Sequence, residues 1–160
     1  MPPRAGRPGS GILSLALALC LLVGGALGWP APAQASLLHL EGPIPAELGV
    51  SQGHLAPCAT PAHCARETWP SADAASALER LLPAVLALEG VEVVATEPGY
   101  LRATATSRLF GFVDDLELHA DAAAGMIEAR SSSRLGDSDL GVNARRLARL
   151  RQALDQLEGS

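Results

Sequence analysis

Between Val91 and Ser133 the sequence has room for little besides antiparallel strands. Val91–Thr96 is rich in β-branched residues. Tyr100–Ser107 alternates, with Leu101, Ala103 and Ala105 on one side. Phe110–His119 alternates, with Leu116 and Leu118 on one side, and Met126–Ser133 follows. A period of two puts successive side chains on opposite faces of a sheet. The connections are short. Glu97-Pro98-Gly99-Tyr100 has Pro and Gly placed for a type II turn, and Asp121–Gly125 is another turn. So few residues cannot make a parallel crossover, so the four strands form an antiparallel meander.

Two helices flank these strands. In residues 72–88, Leu78, Leu81, Leu82, Val85 and Leu88 recur at three- and four-residue steps. Ser71 is the expected N-cap, Gly90 the stop, and Pro83 a candidate kink. From Leu140 to Leu157, Leu140, Leu147, Leu150, Leu154 and Leu157 form an apolar stripe with arginines opposite. Ser138 or Asp139 is placed to cap it. Residues 36–70 carry five prolines and read as an irregular arm.

The N-terminus reads as an export signal. Arg4 and Arg7 precede the uncharged run Ile12–Gly28, and Ala33-Gln34-Ala35 supplies a small-x-small cleavage site. Residues 1–35 are therefore expected to be a signal peptide, leaving residues 36–70 as the arm and 71–160 as the folded domain. The destination is the periplasm, or a thylakoid lumen in a photosynthetic source. If uncleaved, the same run would tether the chain to a membrane. Loss of Arg4 and Arg7 leaves 17 acidic residues against ten arginines, a net charge of −7. Such a domain is a poor nucleic-acid binder, which would need a basic surface. Cys20 leaves with the signal. Cys58 and Cys64 remain as an even pair in an oxidising compartment, where a disulfide is the default. His54, Cys58, His63 and Cys64 are also zinc or copper ligand types, but Cys-x5-Cys is not a usual zinc spacing.

Strand parity assigns the faces. Leu101, Ala103, Ala105, Leu116, Leu118, Ile127 and Ala129 make the side that the helices cover. The other side carries Arg102, Thr104, Asp115, Glu117, His119, Glu128, Arg130 and Arg134, whose cross-strand pairs read as surface ladders. Antiparallel order brings Arg108, Asp114, Asp115, Arg130, Ser131, Ser133, Arg134, Asp139, Asn143 and Arg146 to one end of the sheet. Asp114 stands out, because its parity puts a carboxylate on the apolar face, where it needs a partner. Ser107, Ser131 and Ser133 share that face and that end, with Asn143 or Arg146 within reach. A structural knot tying the last helix to the sheet accounts for these residues better than a ligand site does.

Three stretches resemble a known family. Ser107-Arg-Leu-Phe-Gly-Phe-Val-Asp-Asp115, the run from Arg130 to Asn143, and Cys58-Ala-Thr-Pro-Ala-His-Cys64 look like the signatures of domain-of-unknown-function family 1499. The resemblance covers nearly all of residues 55–151 and implies no activity. The family usually has Asn where His63 stands, and a Ser-rich segment where Ala65-Arg66-Glu67 stands. Ala144 and Ala148 occupy positions where it tends to have Arg and Glu.

Enzyme chemistry finds little support. Gly136-Asp-Ser-Asp-Leu140 is superficially like an esterase motif, but no histidine follows it to activate the serine. No phosphate loop or dinucleotide fingerprint occurs. Asp114 and Asp115 point to opposite faces, so only Asp115 and Glu117 could share a substrate. The sequence therefore predicts an α+β fold: a four-stranded antiparallel meander, two helices on one face, and a disulfide-pinned arm. The leading functional expectation is a non-enzymatic exported module, without cofactor, that binds a small anion or a protein partner through arginines at the sheet end. The alternatives are a hydrolase or isomerase using Asp115 and Glu117, and a purely structural accessory protein.

Overall fold

The computed structural model describes residues 40–159. The expected signal peptide, its cleavage site and the first residues of the arm lie outside them. Two short strands come first, β1 (Val50–Ser51) and β2 (His54–Leu55), paired as a hairpin. Then follow β3 (Cys64–Pro70), α1 (Ala74–Leu86), β4 (Val91–Glu97), β5 (Tyr100–Thr106), β6 (Val113–Asp121), β7 (Met126–Ser133) and α2 (Val142–Glu158).

The fold is α+β, but the main sheet has five strands rather than four. Its order is β3-β7-β6-β5-β4, with every neighbouring pair antiparallel. The meander β4–β7 matches the alternation. The added strand comes from the arm, where β3 runs beside β7 from Cys64↔Ser132 to Pro70↔Met126. Proline tolerates this place because β3 is an edge strand and Pro70 is its last residue. The expected irregular arm is thus partly sheet. The β5–β6 connection is also longer than expected. Gly111 N–H donates to the Ser107 carbonyl and Phe112 N–H to Ser107 Oγ, closing a turn over residues 107–112, so β6 begins at Val113 rather than Phe110.

Both helices pack on one face. The core joins Ala77, Leu81 and Val85 of α1 and Leu147, Leu150 and Leu154 of α2 to Leu101, Leu116, Leu118 and Ile127 of the sheet. Trp69 of β3 closes this core at one edge. Asp73 rather than Ser71 caps α1, its carboxylate accepting from Ser76 N–H. Pro83 stays within a single helix. Gly90 ends the α1–β4 connection at φ +68°, and a Cβ there would collide with the Thr106 carbonyl oxygen. That glycine lets the connection lie against the end of β5.

The second face is covered too. Residues 40–57 cross it, and Leu55 is buried there. The hairpin is held by Leu55 N–H donating to Glu128 and by the His119 ring, which lies between the Gly53 and Gly99 carbonyls. The domain therefore has three layers: helices, sheet and arm.

Candidate functional site

The polar residues expected at one end of the sheet do meet there, but the sheet divides them. On the helix side, Asn143 is fully buried and uses its whole amide. Its Oδ1 accepts from Ser131 Oγ at 2.7 Å and Arg146 Nη1 at 2.6 Å. Its Nδ2 donates to Ser133 Oγ at 3.0 Å and the His63 carbonyl at 3.1 Å. Arg146 reaches on to Asp114 at 2.8 Å. Asp139 accepts from Gly141 N–H and Asn143 N–H at the start of α2. The parity of Asp114 located this group correctly, and its connectivity is that of a knot joining α2, β6 and β7.

On the arm side lies a charge ladder. Arg134 grips Asp115 with two bonds of 2.8 and 2.9 Å. Arg130 donates to Glu117 at 2.9 Å, and Tyr100 OH and Gly49 N–H donate to the other oxygen of Glu117. Glu128 accepts from Leu55 N–H and Arg66, with the His54 ring 2.9 Å away. Glu47 and Glu41 of the arm lie against Arg130 and Arg134. Parity paired these residues rightly but gave them the wrong environment. They are not surface ladders, because the arm covers them: Asp115 is 1% exposed and Glu117 0%. Both oxygens of each carboxylate are engaged within the protein, which leaves neither facing a substrate.

A third arrangement lies beside the knot and is open to solvent. Leu88 and Glu89 from the end of α1, Thr106–Arg108 from the end of β5, and Val142, Arg145, Arg146 and Arg149 from α2 line a cleft of about 310 Å³. Four arginines face two acids, Glu89 and Asp114, so the cleft is locally positive in an acidic chain. Arg146 is committed to Asp114 and Asn143. Arg108 makes a 3.4 Å pair with Glu89, both well exposed, and such pairs are weak. Arg145 uses one nitrogen on the Leu140 carbonyl. Arg149 has no hydrogen-bond or ion-pair partner among the described residues. The sequence reading included Arg108 and Arg146 but missed Arg145 and Arg149. Their signal was the i, i+4 spacing that sets both on one side of α2.

Two carboxylates are tuned by these contacts. For Glu128, burial acts upward, but the Leu55 N–H, His54 and Arg66 outweigh it and hold the carboxyl below its usual range. For Asp139, burial is likewise outweighed by the N–H groups of Asn143 and Gly141. A carboxylate whose folded pKa is depressed stabilises the fold above its unfolded pKa of about 4, and that contribution disappears as pH falls. The urea midpoint is therefore expected to be flat from about pH 7 to 5 and to drop below about pH 4. Glu128→Gln should remove part of that drop. A midpoint that rises on acidification would contradict the assignment.

Cys58 and Cys64 form a disulfide, with Cα atoms 5.6 Å apart. Their sulfurs are thereby taken from any metal, and no cluster of three or more ligand-type side chains occurs among the described residues. The loop they close is part of the scaffold. The His63 carbonyl accepts from Ser133 N–H and Asn143, and the Ala62 carbonyl from Asp139 N–H.

A family model described as "Protein of unknown function (DUF1499)" matches residues 46–154. The chain belongs to the DUF1499 family. No curated protein and no solved structure matches it. The three DUF1499-like stretches converge in the fold. The turn at 107–112, the β7–α2 connection and the disulfide loop all meet at the end of the sheet that holds the knot and the cleft. Of the residues that differ from the expected family pattern, His63 buries its ring Nδ1 without a hydrogen-bond partner among the described residues. At His63 the backbone carbonyl makes the contacts to β7 and α2. Ala144 and Ala148 are exposed on α2. Arg66 supplies a partner to Glu128.

Proposed function

We propose that this DUF1499 chain is a non-enzymatic binding domain whose cleft between α2 and the β5–β6 turn takes a small anion such as phosphate. The observation that carries this reading is Arg149, a guanidinium without a partner among the described residues, beside Arg145 and Arg108 in an open cleft of an acidic protein. Arginine suits this task because its planar fork presents several donors to one oxyanion. The buried ladder and the knot are the rigid frame, and the paired Asp115 and Glu117 belong to that frame rather than to catalysis. The domain acts outside the cytoplasm, in a periplasm or a thylakoid lumen. The N-terminal sequence and the Cys58–Cys64 bridge support that location.

Calorimetric titration with inorganic phosphate tests the reading. Arg149→Ala is expected to weaken binding by roughly tenfold or more, the worth of a charge-assisted hydrogen bond, and to leave the urea midpoint unchanged. Arg151→Ala, which removes an exposed partner of Asp155, should leave affinity intact. Equal affinity in the wild type and Arg149→Ala would overturn the assignment.

A further inference from the structure

The cleft sits in an unusually apolar rim. Among the described residues, ten large hydrophobic side chains are exposed, and six of them are Leu40, Leu109, Phe110, Leu135, Leu140 and Val142. Topology puts all six at the same end of the domain. Leu109 and Phe110 lie on the β5–β6 turn, and Leu135, Leu140 and Val142 on or beside the β7–α2 connection. Leu40 is bonded to Gly111. Leu140 is the most prominent, 84% exposed and held at φ +52°, a conformation that bulky residues avoid. A strained leucine projecting into water has no part in the core.

One further observation selects the occupant. Val142 lines the arginine cleft, and the Leu140 carbonyl binds Arg145, so apolar tips and cations form one surface. Leu40 is fixed to the β5–β6 turn, so the first described residue of the arm belongs to the same apolar end. We infer that this end of the domain docks on an anionic phospholipid surface. Leu109, Phe110, Leu140 and Val142 enter the headgroup–acyl boundary, while Arg108, Arg145 and Arg149 hold lipid phosphates. This rests on the anion reading of the cleft and names its ligand as a phosphate carried by lipid. The acidic remainder of the chain would be repelled by such a membrane, which fixes this end as the one that faces it.

The full chain, labelled on its methyl groups, can be mixed with phosphatidylcholine bicelles bearing nitroxide in their acyl chains, with and without phosphatidylglycerol. With phosphatidylglycerol, the methyl signals of Leu109, Leu140 and Val142 are expected to vanish, while that of Val50, exposed on the hairpin at the other end of β6, persists. Leu140→Asp should restore the signals of Leu109 and Val142, and Arg145→Ala with Arg149→Ala should lower partitioning roughly thirty-fold. Persistence of the Leu109 and Val142 signals, or equal loss at Val50, would overturn the inference. If inorganic phosphate binds at Arg149 while the bicelle signals persist, the cleft is a site for a free anion and membrane docking fails. If phosphate does not bind, the anion reading itself has failed. Broadening at these methyls that grows with protein concentration without bicelles would assign the surface to a second copy and also overturn the inference.

Discussion

Arg130→Met is expected to cost about 3–5 kcal/mol of folding stability, the usual penalty for stranding a buried charge. Glu117 is fully buried. Without Arg130 it keeps the Tyr100 hydroxyl and the Gly49 N–H on one oxygen, but its second oxygen loses its donor among the described residues. Two neutral donors do not balance a carboxylate removed from water. The size of the loss should depend on that charge. Arg130→Met combined with Glu117→Gln should recover a large part of it, because the amide can still accept from Tyr100 and Gly49. Glu47→Ala removes only the exposed partner of Arg130 and should cost less than about 1 kcal/mol. Urea unfolding of the wild type, Arg130→Met, Glu117→Gln and the double variant gives the coupling. A loss below about 1 kcal/mol for Arg130→Met would mean that the arm does not seal the ladder.

Asn143→Leu is the second large effect, about 3–4 kcal/mol. The two side chains share the same branched skeleton of four heavy atoms, so most of the cost is polar. Ser131, Ser133, Arg146 and the His63 carbonyl each lose a partner, and each buried group left unsatisfied costs about 1–3 kcal/mol before relaxation. The loss has a local signature as well. With the His63 carbonyl freed on one side, the disulfide loop should loosen, and the amides of Ser133 and Asp139, which donate to His63 and Ala62, should exchange faster. Ala144→Leu on the exposed side of the same turn should change neither stability nor exchange. Normal protection at Ser133 and Asp139 in Asn143→Leu would show that the knot does not hold the loop.

The contrast between these two groups explains what the sequence could and could not disclose. The knot was legible because Asp114 broke the apolar parity of its strand, and a carboxylate in that place needs partners. The ladder was misplaced because Arg, Asp and Glu alternating along β6 and β7 look the same whether water or protein covers them. What covers them is residues 40–57, whose partners Glu41, Glu47 and His54 lie 74 or more residues away in sequence from Arg134, Arg130 and Glu128. No local period encodes such a contact. The strand β3 was hidden for a related reason. Only Ala65 and Trp69 of its seven residues turn an apolar side chain to the helices, and the flanking prolines suggested irregular chain. The arginine cleft was half visible, since the arginines opposite the leucine stripe of α2 were plain. That Arg145 and Arg149 would face Arg108 depended on how α2 lies against the end of β5.

These features support one division of labour: arginines on the arm side and Arg146 are structural, while Arg108, Arg145 and Arg149 of the cleft present donors to a ligand. Arginine Nε–H resonances report on each group separately during a titration with inorganic phosphate. The account predicts shifts at Arg108, Arg145 and Arg149, with Arg130 and Arg134 unmoved. Shifts at Arg130 and Arg134, or none in the cleft, would contradict it.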